Sequence, residues 1–262
     1  MTDEENARQH AESFNTATVE SKDGYNCPHC LNKHWIMDYW FADVGYWATF
    51  VRPCSCVGQR KALRDRKQSG LNASGRYTLT NYKDVEPWQK AIKSSATAFV
   101  DDLEENPWFF IGGQSGAGKT HITTAIADAC ISRGRATKYM IWGEDFKKIK
   151  GLIVNDPAKY QAEMQALTSI PVLLIDDLFK GGRDEQGHFK PPTEADIKGA
   201  FDIINARYNN PRSITIISSE RMLNDIINLD NAIGGRIAER AGDYIINIPA
   251  DSRRNYRINR TV

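Results

Sequence analysis

Apolar positions along the chain fall into two regimes. From about residue 77 onward, short unbroken apolar runs alternate with stretches in which apolar residues recur every three or four positions. The runs are Trp108-Phe109-Phe110-Ile111, Ala136–Trp142, Val172-Leu173-Leu174-Ile175, Ser213–Ser219 and Tyr244–Ile248, and each predicts a strand. Ile92, Ala96, Phe99, Val100 and Leu103 predict a helix near residues 88–103, which Asn106-Pro107 breaks. Ile122, Ala125, Ile126, Ala129 and Cys130 predict another over residues 120–133, with Gly134 at its C-terminal cap. Asp156-Pro157 reads as an N-cap with Pro at the first helical position. Thr193 and Asp196 form a capping box that opens a helix to about Tyr208. Two short helices follow the fourth strand. This alternation predicts an α/β fold with a five-stranded parallel sheet covered on both faces.

The N-terminal part of the chain differs. Residues 1–24 are polar and predict a loose arm or a short helix. Trp35, Tyr39, Trp40, Phe41, Tyr46, Trp47 and Phe50 then crowd one span, on both sides of Asp43-Val44-Gly45, and predict a β-hairpin. A basic stretch follows: Arg52, Arg60, Lys61, Arg64, Arg66, Lys67 and Arg76, against Asp65 alone. Gly70-Leu71-Asn72-Ala73-Ser74-Gly75 reads as a linker, which divides the chain into domains at 1–70 and 76–262.

Composition changes this picture little. The 262 residues carry 34 Lys+Arg and 33 Asp+Glu, so the net charge of +1 favours no class of partner and leaves nucleic-acid binding to local patches. Hydrophobic residues at 41% and charged residues at 26% exclude collagen-like, low-complexity and wholly disordered chains. No apolar run approaches the ~18 residues of a membrane span, and Met1-Thr2-Asp3-Glu4-Glu5 is unlike a signal peptide. A cytoplasmic protein with no membrane partner is therefore expected.

Candidate chemistry begins at Gly113-Gln114-Ser115-Gly116-Ala117-Gly118-Lys119-Thr120, which fits G-x-x-x-x-G-K-[ST]. Glycines let the backbone wrap closely, so that several N–H groups point at phosphate oxygens. The helix that starts there adds its positive end. Lys119 would reach the β- and γ-phosphates of ATP, and the Thr120 hydroxyl would bind Mg²⁺. A chance match in a chain this long is on the order of one in a hundred, and this one lies between a strand and a helix, as the chemistry requires. The third apolar run, well downstream of Lys119, ends in Asp176-Asp177 on what is expected to be the neighbouring strand. Asp176 is placed to hold Mg²⁺ through water, and Asp177 to orient the attacking water as base.

Four of the five cysteines cluster in two close pairs. Cys27-Pro28-His29-Cys30 and, after the aromatic span, Cys54-Ser55-Cys56 supply four soft ligands that suit tetrahedral Zn²⁺. His29 or His34 is an alternative for one of them. The aromatic hairpin between the pairs is expected either to form the core of a small zinc-ribbon-like β domain or to face a partner. Cys130 reads as a buried helix residue, His121 as a helix residue rather than a base, and His188 as a solvated loop residue.

Taken together, these motifs resemble the AAA+ helicase loaders of the bacterial and phage DnaC/DnaI type, from about Tyr77 to the C-terminus. Gly113–Thr120 matches Walker A and Val172–Leu178 matches Walker B in its Asp-Asp form. Ile216-Ile217-Ser218-Ser219 falls at the end of the sensor-1 strand. Gly235-Arg236-Ile237-Ala238-Glu239-Arg240 resembles the arginine-finger box, and Asn255-Tyr256-Arg257 the terminal sensor-2-like segment. Tyr77-Thr78-Leu79-Thr80-Asn81-Tyr82 resembles the segment beside the adenine. The resemblance implies an ATPase without a separate helical lid. Leu79, Tyr82 and Arg257 would bind nucleotide, and Ser219 would be the sensor. Arg240, with Arg236 beside it, would act on a neighbouring subunit's nucleotide.

The chain departs from the pattern at Glu220, where the family often has Asn, and in the longer polar loop Lys180–Pro192. The resemblance also implies a replicative hexameric DNA helicase as partner, met through the zinc domain, with self-association through the ATP sites. Single-stranded DNA would be bound at Lys147, Lys148 and Lys150, a cluster that reads equally as a solvated helix face. The Arg60–Lys67 run is open to the same two readings. A transposition-helper ATPase of the IstB type, and a nucleotide-switched binding module with little turnover, are the alternatives.

Overall fold

The computed structural model describes residues 2–43, 45–71, 76–105, 107–182, 184–187 and 189–256. Val44 of the expected hairpin turn, residues 72–75 of the expected linker, Asn106, His188 and Arg257 lie outside the described residues. The chain divides into two compact units, Met1–Arg64 and Asp65–Val262.

The first unit opens with helix α1, Asp3–Thr16, rather than a loose arm. Thr2 and Glu5 form a capping box at its start. Strands β1, Trp35–Phe41, and β2, Trp47–Pro53, make the expected antiparallel hairpin, with Phe41 opposite Trp47. The Asn15 side chain pairs with both the N–H and the C=O of Met37, at 3.0 and 2.8 Å, and so occupies part of an open strand edge. Helix α2, Cys56–Ser69, begins in this unit. The hairpin aromatics do not form the core. Trp35, Tyr39, Trp40, Phe41 and Tyr46 are exposed, and among the described residues of this unit the buried apolar side chains are Ala7, Ala11 and the four cysteines. Helix α1 packs against both strands, but one helix on a two-stranded hairpin is too small a layer to cover all of these rings.

The second unit holds α3 (Pro87–Asp101), β3 (Phe109–Gly113), α4 (Lys119–Ser132), β4 (Thr137–Ile141), α5 (Lys147–Asn155) and α6 (Pro157–Ser169). It continues with β5 (Val172–Asp176), α7 (Glu194–Tyr208), β6 (Ile214–Ser219), α8 (Leu223–Leu229), α9 (Asn231–Ala241) and β7 (Ile245–Ile248). The five strands form one parallel sheet in the order β4-β5-β6-β3-β7. Every residue of β3, β5 and β6 is buried, which is why these strands read as unbroken apolar runs. Among the described residues no helical lid follows β7.

One expectation is corrected. The acid-bearing strand β5 is not the neighbour of the phosphate-loop strand β3, because β6 lies between them. The C-terminal end of β6 therefore opens into the middle of the site, at the carboxyl edge where ligands of open α/β sheets bind.

The loop after β5 is held down rather than loose. Lys190 N–H donates to Gly182 O at 2.9 Å, and the buried Arg221 guanidinium donates to Phe179 O and Lys190 O and stacks on Phe189. The buried Arg207 plays a similar part: it caps the end of α6 through Leu167 O and Ile170 O and reaches Thr215 on β6.

Candidate functional site

Gly113–Thr120 turns from β3 into α4, as its spacing predicts. Gly116 and Gly118 have φ of +75° and +84°, which L side chains rarely adopt. A Cβ on Gly118 would stand 3.3 Å from the Tyr82 ring. Lys119 is buried and donates to Gly113 O and Gln114 O at 2.9 and 2.8 Å, so its ammonium already points into the loop. Burial pushes its pKa down, while Glu220, Asp177 and Asp176 oppose that shift. Ala117 is fully buried and anchors the loop.

Asp176 closes the other side. Its carboxylate accepts from Thr120 Oγ1 at 3.2 Å, from Tyr139 Oη at 3.0 Å and from Ser218 Oγ. Burial raises its pKa, and these three hydroxyls work against that rise. Thr120 and Asp176 are thus side by side, as a shared Mg²⁺ would require. Asp177 sits at φ +58° and Phe179 at φ +55°, and the end of β6 holds this unusual turn. Ser218 Oγ accepts from Asp177 N–H, Leu178 N–H donates to Ser218 O, and Ser219 Oγ donates to Leu178 O.

These bonds decide what the end of β6 offers. Ser219, expected as the sensor, is buried with its hydroxyl on Leu178 O. Ser218 faces Asp176, and Glu220 faces the phosphate loop, accepting from Ser115 Oγ at 3.1 Å.

A cavity of about 680 Å³ opens over the loop. Tyr77, Tyr82, His121 and Tyr256 line one end, and Lys119, Thr120, Asp177, Lys180 and Glu220 the other. The buried hydroxyls of Tyr82 and Tyr256 have no hydrogen-bond partner among the described residues and so are available to a polar ligand. His121 Nε2 bonds Thr78 O and Asn81 Oδ1 at 3.0 and 2.9 Å, and so ties the 77–82 segment to the phosphate helix. Leu79 is half-buried and does not line the cavity.

The segment after β7 lies on the loop. Gln114 N–H donates to Ile248 O, Asp251 N–H to Gln114 Oε1 and Tyr256 N–H to Gly116 O, at 2.9, 3.1 and 3.0 Å. Gln114 therefore clamps the chain end. The donors and cradle fit a nucleoside triphosphate with Mg²⁺, which would supply the electrophilic phosphorus and its charge neutralisation.

Arg236 and Arg240 are not brought to this cavity. Both lie on α9, with Arg236 over the Phe201 and Tyr208 rings. Arg240 is over Trp108 and donates to Ser213 O at 3.1 Å. Trp108 and Ser213 precede β3 and β6, so Arg240 sits at the opposite end of strands about 17 Å long. In the lysine cluster, Lys148 pairs with Asp145 and Lys150 with Asp196.

In the first unit, Cys27, Cys30, Cys54 and Cys56 are buried and their sulfurs all lie within 4.8 Å of one another. Cys27–Cys54 and Cys30–Cys56 are separated by 3.8 and 3.5 Å. A tetrahedron of sulfurs about 2.3 Å from a zinc ion has edges of about 3.8 Å, so the cluster has the donor set and the size of a four-thiolate zinc site. His29 and His34 are exposed and lie outside it. The buried Arg60 stands beside Cys56 and joins Asp23, Tyr25 O and Asn32.

Residues 59–254 match the model of the IstB-like ATP binding protein family. The chain belongs to this family. It is 30% identical over 203 residues to the phage-like element PBSX protein XkdC of Bacillus subtilis, covering 74% of this chain and 73% of that one. It is 22% identical over 192 residues to the replicative helicase loader DnaC of Buchnera aphidicola, covering 71% and 73%. The crystal structure of the DnaC helicase loader superposes with a TM-score of 0.53 at 20% identity, over 69% of this chain and 99% of that one. The second unit is an IstB/DnaC-like AAA+ ATP-binding domain, an α/β P-loop ATPase. No helix among the described residues is long and apolar enough to cross a membrane.

The sequence reading missed Tyr139, Ser218, His121 and Lys180 as site residues. Three of them lie outside any motif window. Ser218 lies inside one, beside Ser219, and only the strand register separates the two.

Proposed function

We propose that this protein is an ATP-dependent loader that binds a replicative hexameric DNA helicase and places it on single-stranded DNA. One observation carries the reading: a DnaC-like ATPase unit is joined to a four-thiol unit whose aromatic hairpin is exposed. The four-thiol unit lies almost wholly ahead of the family match, which begins at residue 59. Uncovered Trp and Tyr at a hairpin suit a protein interface. On this reading the four cysteines hold Zn²⁺, the domains divide at 1–70 and 76–262, and the protein works in the cytoplasm.

ATP and Mg²⁺ bind at Gly113–Thr120 and Asp176, with Tyr82 and Arg257, but not Leu79, around the base and phosphates. Asp177 orients water, the end of β6 at Ser218–Glu220 reads the nucleotide, and Ser219 supports it through Leu178. Arg240 and Arg236, far from their own phosphate loop, act on the nucleotide of a neighbouring copy. Lys147, Lys148 and Lys150 bind single-stranded DNA weakly, which a flatter salt dependence in a triple alanine variant would reveal.

The test is size-exclusion chromatography with the candidate helicase, with and without ATP and Zn²⁺. Co-elution that needs both supports the reading; separate elution under every condition refutes it. The family match supports a second reading, a transposition helper of the IstB type. Capture of a transposase in place of the helicase would select it. Stable ATP binding without turnover would instead mark a nucleotide-switched binding module.

A further inference from the structure

Five charged side chains meet around the open end of the phosphate loop. Lys119, Asp176 and Asp177 have roles in the reading above. Lys180 has none, and Glu220 has only a general one. Lys180 Nζ lies 2.7 Å from Asp177 Oδ2 and 3.8 Å from Glu220 Oε1. That same Glu220 oxygen accepts from Ser115 Oγ, inside the loop. A continuous bridge thus runs from the phosphate loop through Glu220 and Lys180 to Asp177, and all four residues line the cavity.

A terminal phosphate arriving at this corner carries charge of the same sign as Asp177 and Glu220. The three groups repel unless a cation moves among them. Lys119 is buried and fixed to loop carbonyls, whereas the Lys180 side chain is 44% exposed, on a long flexible stem. We propose that Lys180 is a γ-phosphate contact: it leaves its bridge between Asp177 and Glu220 when ATP fills the loop and pairs with the terminal phosphate that ADP lacks. Glu220 is the counter-charge that parks Lys180 in the free and ADP-bound states. Asp177 is then released from its ion pair only when a γ-phosphate is present, so the water-orienting group is freed by the substrate itself. The inference rests on the ATP-binding reading of this site and is independent of the helicase.

The test is fluorescence titration of the full chain, with Mg²⁺, using labelled ADP and a labelled non-hydrolysable ATP analogue. Lys180→Met is expected to weaken the ATP analogue by about tenfold or more and ADP by less than about twofold. Lys180→Arg should recover most of the loss. Glu220→Gln should tighten the ATP analogue relative to ADP, because the lysine loses its competing partner. Equal losses for both nucleotides in Lys180→Met, or no loss in either, with circular dichroism unchanged, would overturn the proposal. If wild type and Lys119→Ala bind the analogue alike, the site reading itself fails, and the inference with it.

Discussion

The two units of this chain are held together by different physics. In the second, fully buried strands and the helices on both faces make a continuous apolar core from Trp108 to Ala241. In the first, most of the hairpin rings face solvent, and the cluster at the centre is four thiols with Tyr25 and Ile36 packed against it. A unit as short as Met1–Arg64, with so little buried apolar surface, lies near the limit of independent stability. Four clustered thiols that bind a structural zinc are a remedy small domains use, since such an ion contributes about 10 kcal/mol or more of coupled binding and folding energy. On the proposed zinc reading, apolar burial spread over a sheet in one unit is replaced in the other by one ion at a point. That arrangement would leave the exposed aromatic surface open to the proposed partner.

The sharpest way to break this comparison is to remove the point. Cys27→Ser, or a strong chelator, is expected to unfold the first unit and leave the second folded. Metal analysis of the wild type should find one zinc per chain. A substoichiometric value, or a first unit that stays ordered after chelation by tryptophan fluorescence, would mean that its core lies elsewhere.

A smaller change leaves both folds intact and asks whether the second unit's site works without reference to the thiols. Lys119→Ala should abolish Mg-ATP binding, because its ammonium meets the ground-state phosphates. Asp177→Asn should keep binding and lose turnover, because its partner is the attacking water. Calorimetric titration and a phosphate-release assay separate the two; equal loss of binding in both variants would show the roles misassigned.

The smallest change asks whether the second unit is complete within one chain. Arg240→Ala and Lys119→Ala proteins, each inactive alone, should recover part of the wild-type turnover when mixed, since an arginine supplied in trans is worth ~10³–10⁵ in rate. Activity independent of protein concentration, with no recovery on mixing, would return Arg240 to a structural role over Trp108.

Much of this molecule was legible in its sequence because the relevant forces act locally. The phosphate loop is a single short run of consecutive residues, Gly113–Thr120, whose glycines and helix start are written side by side. The capping box at Thr193–Asp196 is equally local and formed as read. Buried strands declared themselves as apolar runs, and four clustered cysteines declared a metal-sized site. What tertiary structure decided is what depends on pairings across long stretches of chain. The insertion of β6 between β3 and β5 is a matter of sheet order, which no local pattern encodes. That order chose Ser218 over Ser219 to face Asp176, since neighbouring residues on a strand point to opposite sides. Tyr139 reaches Asp176, and Asp251 reaches Gln114, each across a long separation in sequence. The exposure of the hairpin aromatics was likewise beyond the sequence: a ring buries itself only where a second layer covers it, and in the first unit α1 covers only part of the hairpin.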